Sequence, residues 1–281
     1  MNLRVLGAAD AAAMRAFLAP RAPTSMFLLS NSRAAGLVDE GKPFQATYVG
    51  AFVADELVGL AAHCWNGMLL VQTPPELACE LATTAVARSG RALAGFSGPA
   101  DQVAVARTAF ELPAPTVDQV QALYALALAD LQIPDVLARG EVTCRRPTAT
   151  ELPLLVAWRR AYHVESLGAS DGDEVASHAA HEIDQLVAVS RLWLLEHAGE
   201  IVATTAFNAV IPGIVQVGGV YTPPAWRGRG YARAAVAGSL VDARDRGDAD
   251  RAILFTWNPA AARAYEAIGF GRVGDYALVL L

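Results

Sequence analysis

Apolar and polar positions follow one pattern that runs along the chain twice. RVLGAADAAAMRAFL (4–18) reads as a short strand followed by a helix, and CRRPTATELPLLVAW (144–158) opens the same way. YVGAFVADELVGLAAHCW (48–65) alternates apolar residues around a polar Ala-Asp-Glu turn, which is the signature of a β-hairpin. Its counterpart is RLWLLEHAGEIVATTAFNAV (191–210), with Ala-Gly-Glu at the turn. VQTPPELACELATTAVARSG (71–90) and VYTPPAWRGRGYARAAVAGSLVDARDRG (220–247) both run strand, Thr-Pro-Pro, helix, glycine stop. Thr73 and Thr222 stand at the same step of the two copies. The pattern predicts a duplicated α/β unit. Pro134 and Gly140 break it within 131–144, which places the expected boundary between 1–140 and 141–281.

The copies differ after Thr-Pro-Pro. The second continues AWRGRGYA, the first ELACELA with Glu76 and Glu80. Glycine removes the Cβ and lets a ligand approach the backbone. A helix start offers unpaired N–H groups and a partial positive charge. With arginines added, the second copy is suited to an anion such as phosphate. Acidic side chains at the first copy's helix start repel one. A Walker loop needs a lysine that is absent here, and a dinucleotide fingerprint needs Gly or Ala where Arg233 stands.

Composition narrows the field. The chain has 281 residues, 54% of them hydrophobic and 18% charged, which is globular rather than disordered. A net charge of −6 disfavours a nucleic-acid surface. Cys64, Cys79 and Cys144 are widely spaced and form neither a metal nor a disulfide pattern. No apolar stretch reaches the ~20 residues of a membrane span, and the N-terminus does not read as a signal peptide. A cytoplasmic protein without membrane contact is the expectation.

Arg227-Gly228-Arg229-Gly230-Tyr231-Ala232 resembles the R/Q-x-x-G-x-G/A signature of the GNAT superfamily of N-acetyltransferases. In ILFTWNPAAARAYEAIGF (253–270), Asn258, Ala261, Tyr265, Gly269 and Phe270 match the family's second signature. The resemblance covers 141–281 directly and reaches the first half through the repeat. It implies an α/β (α+β) fold of two tandem GNAT-like domains, each a mixed, mostly antiparallel twisted sheet flanked by helices. The first copy would be a degenerate one, structural or acceptor-shaping.

The resemblance further implies acetyl-CoA as cosubstrate and a primary amine, small-molecule or peptide, as acceptor, attacking directly in a ternary complex. The diphosphate would sit on the main chain of Arg227, Gly228, Arg229, Gly230, Tyr231 and Ala232. The pantetheine arm would lie along Val220, Tyr221 and Thr222, where strands of this fold splay. Asn258 would orient cofactor amides, although with Pro259 behind it the same residue is a complete N-cap. A backbone N–H of Val220 or Thr222 would face the developing oxyanion. Tyr265 matches the family's proton donor to sulfur; a phenol near ~10 against a thiol near ~8.5 makes hydrogen bonding easier than transfer.

The base is less legible. The central strand VQVGGVYT carries no carboxylate, where many relatives place a glutamate. Glu165 is one candidate, and Asp171, Asp173 and Glu174 follow it. Trp158 and Tyr162 suit a pocket wall or a core face equally. His178, His181 and Glu182 read as a solvated helix face, so no metal is expected. An oligomer is compatible with the sequence. A non-catalytic acyl-CoA binding or sensing protein is the alternative, and the bare strand favours it.

Overall fold

The structure, a computed structural model, describes the whole chain, Met1 to Leu281. It forms two compact units: Met1–Leu123 with Gly274–Leu281, and Tyr124–Val273.

The first unit contains β1 (Asn2–Val5), α1 (Ala11–Leu18), α2 (Ala22–Ala35), β2 (Ala46–Val53), β3 (Glu56–Cys64), β4 (Met68–Gln72), α3 (Ala78–Ser89), β5 (Gly95–Pro99) and α4 (Ala100–Ala106). The strand β6 (Val117–Ala127) spans the boundary. The second unit continues with α5 (Asp135–Ala138), β7 (Val142–Arg145), α6 (Leu152–Leu167), α7 (Asp173–Ala188), β8 (Leu192–His197), β9 (Glu200–Ile211), β10 (Gly213–Tyr221), α8 (Tyr231–Asp245), β11 (Ala249–Thr256) and α9 (Pro259–Glu266). The chain ends in β12 (Gly271–Leu280), most of which belongs to the first unit.

The strand orders are β1-β2-β3-β4-β5-β12 and β7-β8-β9-β10-β11-β6. The duplication read from the sequence is therefore visible in the topology. In both units the first hairpins are antiparallel, and one parallel pair follows, β4 with β5 and β10 with β11. This is the mixed, mostly antiparallel sheet expected. The boundary expected at 140/141 is the point that differs. β12, last in the chain, pairs antiparallel with β5 of the first unit, Tyr276 opposite Pro99. β6, the last strand of the first half, stands beside β11 of the second. Alternation fixes which residues of a strand face the core, but not which sheet edge the strand joins.

Each core forms where these faces meet. In the first unit Leu81, Ala82 and Ala85 of α3 pack on Val49, Ala61, Leu69 and Phe96, all below 1% exposed. In the second, Ala234 and Ala235 of α8 pack on Leu195, Val202 and Ala203. The small side chains let that helix lie close to the sheet. On the opposite face Leu155 of α6 and Ile183 of α7 cover Leu192 and Ala206.

Candidate active site

The phosphate cradle is a local insertion. In the first unit a 3-10 turn, Pro75–Leu77, runs straight into α3 at Ala78. In the second the equivalent turn, Pro224–Trp226, is separated from α8 at Tyr231 by the four residues Arg227, Gly228, Arg229 and Gly230. Ala78 thus corresponds to Tyr231, and Gly230 has no partner in the first copy. Gly228 and Gly230 both hold left-handed backbone, φ +77° and +80°. Open space surrounds the missing side chain of Gly228, and only the Arg233 guanidinium, 3.1 Å away, approaches that of Gly230. Gly230 is the N-cap of α8, so no side chain occupies the helix's first N–H groups. Arg229 lies 5.0 Å over the Trp226 ring and adds charge to the same turn.

Beside the cradle the sheet opens. β10 and β11 pair only from Gly213 with Ala249 to Gln216 with Ile253, so Val217 to Tyr221 have no partner on that side. Two bulges shape the other side. On β9, Asn208 is the extra residue between Phe207 and Ala209. On β10, Gly219 and Val220 lie between Gly218, opposite Ala206, and Tyr221, opposite Thr204. A bulge leaves backbone groups outside the ladder, here along the stretch assigned to pantetheine.

The first unit closes the same opening. The Thr73 N–H, counterpart of that of Thr222, donates to buried Gln102 Oε1 at 2.8 Å. Buried Gln72 Oε1 accepts from Ser25 and Thr24 at 2.9 and 2.7 Å. The Oγ1 atoms of Thr73 and Thr222 are both buried without partners, so this feature does not distinguish the units. The inserted loop with its two left-handed glycines and the longer bulged strand do. Together they fit the diphosphate and amide arm of a coenzyme A. Gln102→Ala is expected to leave a buried N–H unsatisfied and to lower stability by about 1–3 kcal/mol, measured by chemical denaturation.

Glu165 is occupied. Its Oε2 accepts from Arg227 Nη2 at 2.5 Å and its Oε1 from the Tyr221 hydroxyl at 3.0 Å. The Arg227 Nε in turn donates to the Thr222 carbonyl at 2.8 Å. The Arg227 bond lowers the Glu165 pKa against a smaller opposing effect of burial. The carboxylate therefore ties the loop to the end of β10 and is a poorer proton acceptor than a free glutamate. Glu165→Gln is expected to weaken acetyl-CoA binding by no more than about fivefold, as befits a half-exposed ion pair, with kcat nearly unchanged in steady-state assays.

Asn258 caps α9: its Oδ1 accepts from the N–H groups of Ala260 and Ala261 at 2.8 and 3.3 Å. Ala261 lies in that first turn. Tyr265, further along α9, is 6% exposed, with its ring 6.2 Å from that of Phe270. Burial, with a smaller contribution from Tyr162, lifts its phenol well above the ordinary value. Full proton transfer to a thiolate is thus harder than for a free phenol, and a hydrogen bond to sulfur is the role its chemistry allows.

The glycine pair of the central strand is covered. A Cβ on Gly218 would stand 1.9 Å from Asn208 Nδ2, and one on Gly219, φ +58°, would stand 2.2 Å from Arg159 Nη1. Arg159 donates to both oxygens of Glu182, from Nε at 2.8 Å and from Nη2 at 3.3 Å. His163 Nε2 bonds the same carboxylate at 2.5 Å. This corrects the reading of Glu182 as part of a solvated face; His178 and His181 do remain largely exposed. Arg159 and His163 went unnoticed in the sequence. Their signal was the i, i+4 spacing on α6, matched by His178 and Glu182 on α7. His163, His178 and Glu182 bring three potential ligand atoms within 4.8 Å of one another, but the guanidinium shares that carboxylate and opposes a cation there. Trp158 packs on Tyr221, ring centroids 6.1 Å apart.

Three carboxylates sit far below their ordinary range. Bonding to Arg4 holds Asp10 at about 2, and bonding to Arg145 holds Glu151 at about 2. Burial pushes Glu182 up, but His163 and Arg159 outweigh it and hold it at about 2. A folded-state value below the unfolded one stabilises the fold above the unfolded value and ceases to do so as pH falls through the folded value. The melting temperature should therefore fall as pH drops from about 4.5 towards about 2, and scanning calorimetry over that window checks it.

No helix of the chain is long and apolar enough to cross a membrane. No curated protein sequence matches the chain. Among solved structures, an acetyltransferase of the GNAT family from Colwellia psychrerythraea aligns over 100% of both chains, at 16% identity and TM-score 0.53. A GCN5-related N-acetyltransferase from Sphaerobacter thermophilus aligns over 99% of this chain and 94% of its own, at 17% identity and TM-score 0.58. A Drosophila protein aligns over 99% and 98%, at 13% identity and TM-score 0.61. At such identities the likeness concerns the fold. The family profile of the Acetyltransferase (GNAT) family matches residues 153–270, a span that includes the loop, the splayed strand and Tyr265. Over residues 153–270 the chain is similar to the acetyltransferases of the GNAT family.

Proposed function

We propose that the chain is an N-acetyltransferase whose second unit binds acetyl-CoA and moves the acetyl group to a primary amine within a ternary complex. The observation that carries this reading is the inserted Arg227, Gly228, Arg229, Gly230 turn at an uncapped helix N-terminus, beside a strand that has parted from its neighbour. Acetyl-CoA, when bound, supplies an acetyl carbon activated as a thioester.

The chain's own groups do the rest. Main-chain N–H groups from Arg227 to Ala232 hold the diphosphate, and Arg227 and Arg229 add charge. Val220, Tyr221 and Thr222 bond the pantetheine amides in the manner of an added strand. A backbone N–H in the Gly219–Val220 bulge donates to the carbonyl oxygen as charge develops on it. Tyr265 donates a hydrogen bond to the sulfur. Asn258, its Oδ1 engaged in the cap, holds the start of α9 and so the position of Ala261 and Tyr265. The first unit, with its opening closed by Gln102, serves as a structural or acceptor-shaping partner and binds no second acetyl-CoA. Three unpaired cysteines suit a reducing cytoplasm.

The test is release of free thiol from acetyl-CoA in the presence of defined amines: alanine- and serine-initiated peptides, a lysine peptide, spermidine and glucosamine. Amine-dependent release supports the reading. Tight binding with no release for any amine would instead favour a binding or sensing protein, the role that a central strand without a carboxylate also suits.

A further inference from the structure

The central strand lacks a carboxylate, yet an ammonium must lose a proton before it can attack. The Gly219 position is filled from α6 and α7. The Arg159 guanidinium lies on the bare backbone of Gly219, where any side chain would collide with it. Through Glu182 it is joined to His163, whose imidazole is 7% exposed. The same helical turn carries Tyr162, with its ring 5.1 Å from the Arg159 guanidinium and 5.8 Å from the His163 ring. Tyr162 is also near enough to Tyr265 to affect its ionisation. The network thus runs from the bulge of the central strand to the neighbourhood of Tyr265.

We propose that His163 is the proton acceptor for the incoming amine, held in its working tautomer by Glu182 and anchored to the bulge by Arg159. The proposal rests on the acetyltransferase reading above. Glu182 is held at about 2 despite its burial, so it stays a carboxylate and accepts the Nε2 proton, which leaves the lone pair on Nδ1. The acceptor nitrogen loses two protons in all. The first passes to Nδ1 and then to solvent. The freed lone pair forms the C–N bond while the C–S bond breaks with its electrons on sulfur, and the second proton ends on that sulfur. Arg159 and Glu182 are positioning residues. A guanidinium in place of the more usual glutamate also keeps the approach to the strand from being strongly negative. The charged and titratable groups facing His163 are Arg159 and Tyr162 on α6 and Glu182 and His178 on α7.

Two measurements test it. In the ligand-free protein, ¹⁵N spectra of the histidine rings should show His163 protonated at Nε2 and bare at Nδ1, and Glu182→Gln should remove that tautomer preference. In the amine assay, His163→Gln should lower kcat by about 10²–10³-fold and abolish the acid limb of the kcat/KM profile, with coenzyme A affinity by calorimetry unchanged. Added imidazole should restore part of the activity of His163→Ala. If His163→Gln does not fold, Glu182→Gln, with the tautomer preference lost, stands in for it. A wild-type rate and pH profile in these variants, in an enzyme that does transfer acetyl groups, overturns the proposal alone. Absence of transfer by the wild type with every amine overturns the acetyltransferase reading, and the proposal with it.

Discussion

Replacing Gly228 and Gly230 together by valine is expected to abolish acetyl-CoA binding, with affinity falling at least about 100-fold, or roughly 2.7 kcal/mol. Two effects combine. Both residues hold positive φ, at +77° and +80°, where a β-branched side chain is a genuine outlier and costs of order 1–3 kcal/mol per residue. The loop would escape that strain by turning its N–H groups away from the position that grips a diphosphate. The added side chains would also occupy the space left open around Gly228. The fold should survive, because the loop is largely exposed and α8 is anchored through Ala234, Ala235 and Tyr231. Calorimetric titration with acetyl-CoA, next to circular dichroism and a melting curve, separates lost binding from lost structure. Retained affinity in a folded double variant would contradict the assignment of the loop. Ala78 is no control for this experiment, since it is fully buried in the first unit's core and corresponds to Tyr231.

Tyr265→Phe is expected to lower kcat by about 10²-fold or more, the lower range for loss of a positioned proton donor, with acetyl-CoA affinity nearly unchanged. The side chain is buried on α9, and only its hydroxyl is removed, so packing against Phe270 is retained. Its phenol is raised by burial and therefore protonated throughout the range in which the enzyme is assayed. The loss should be the same at every such pH, which distinguishes it from loss of a group that titrates there. Unchanged turnover would reduce Tyr265 to a packing aromatic.

Much of this was legible in the sequence because it rests on local chemistry. Thr-Pro-Pro recurs since proline ends a strand in both copies, and the glycines mark backbone that other residues avoid. Both hairpins and the two signature helices lie where alternation and caps put them. The strand exchange was not legible. β6 and β12 are each the last strand of their half, and nothing in an alternating pattern says which edge they join. Nor did the sequence reveal that Arg227, Gly228, Arg229 and Gly230 are additional residues rather than substitutions, because, counted from Thr-Pro-Pro, Ala78, Cys79, Glu80 and Leu81 align with them until the helix starts are compared. The Arg159, Glu182, His163 network needs two helices and a side-chain-free strand to meet, and only the fold brings them together. Glu165 drew attention as a lone acid on the right helix, and its partner Arg227 is distant in sequence but adjacent in space.

The central claim is that the later copy alone grips the diphosphate while the earlier one has closed its opening. Isothermal titration of the intact chain with coenzyme A addresses it directly. A single site per chain, lost on deletion of residues 227–230 in a protein that still melts cooperatively, is the expected result; two sites per chain, or binding that survives the deletion, contradicts it.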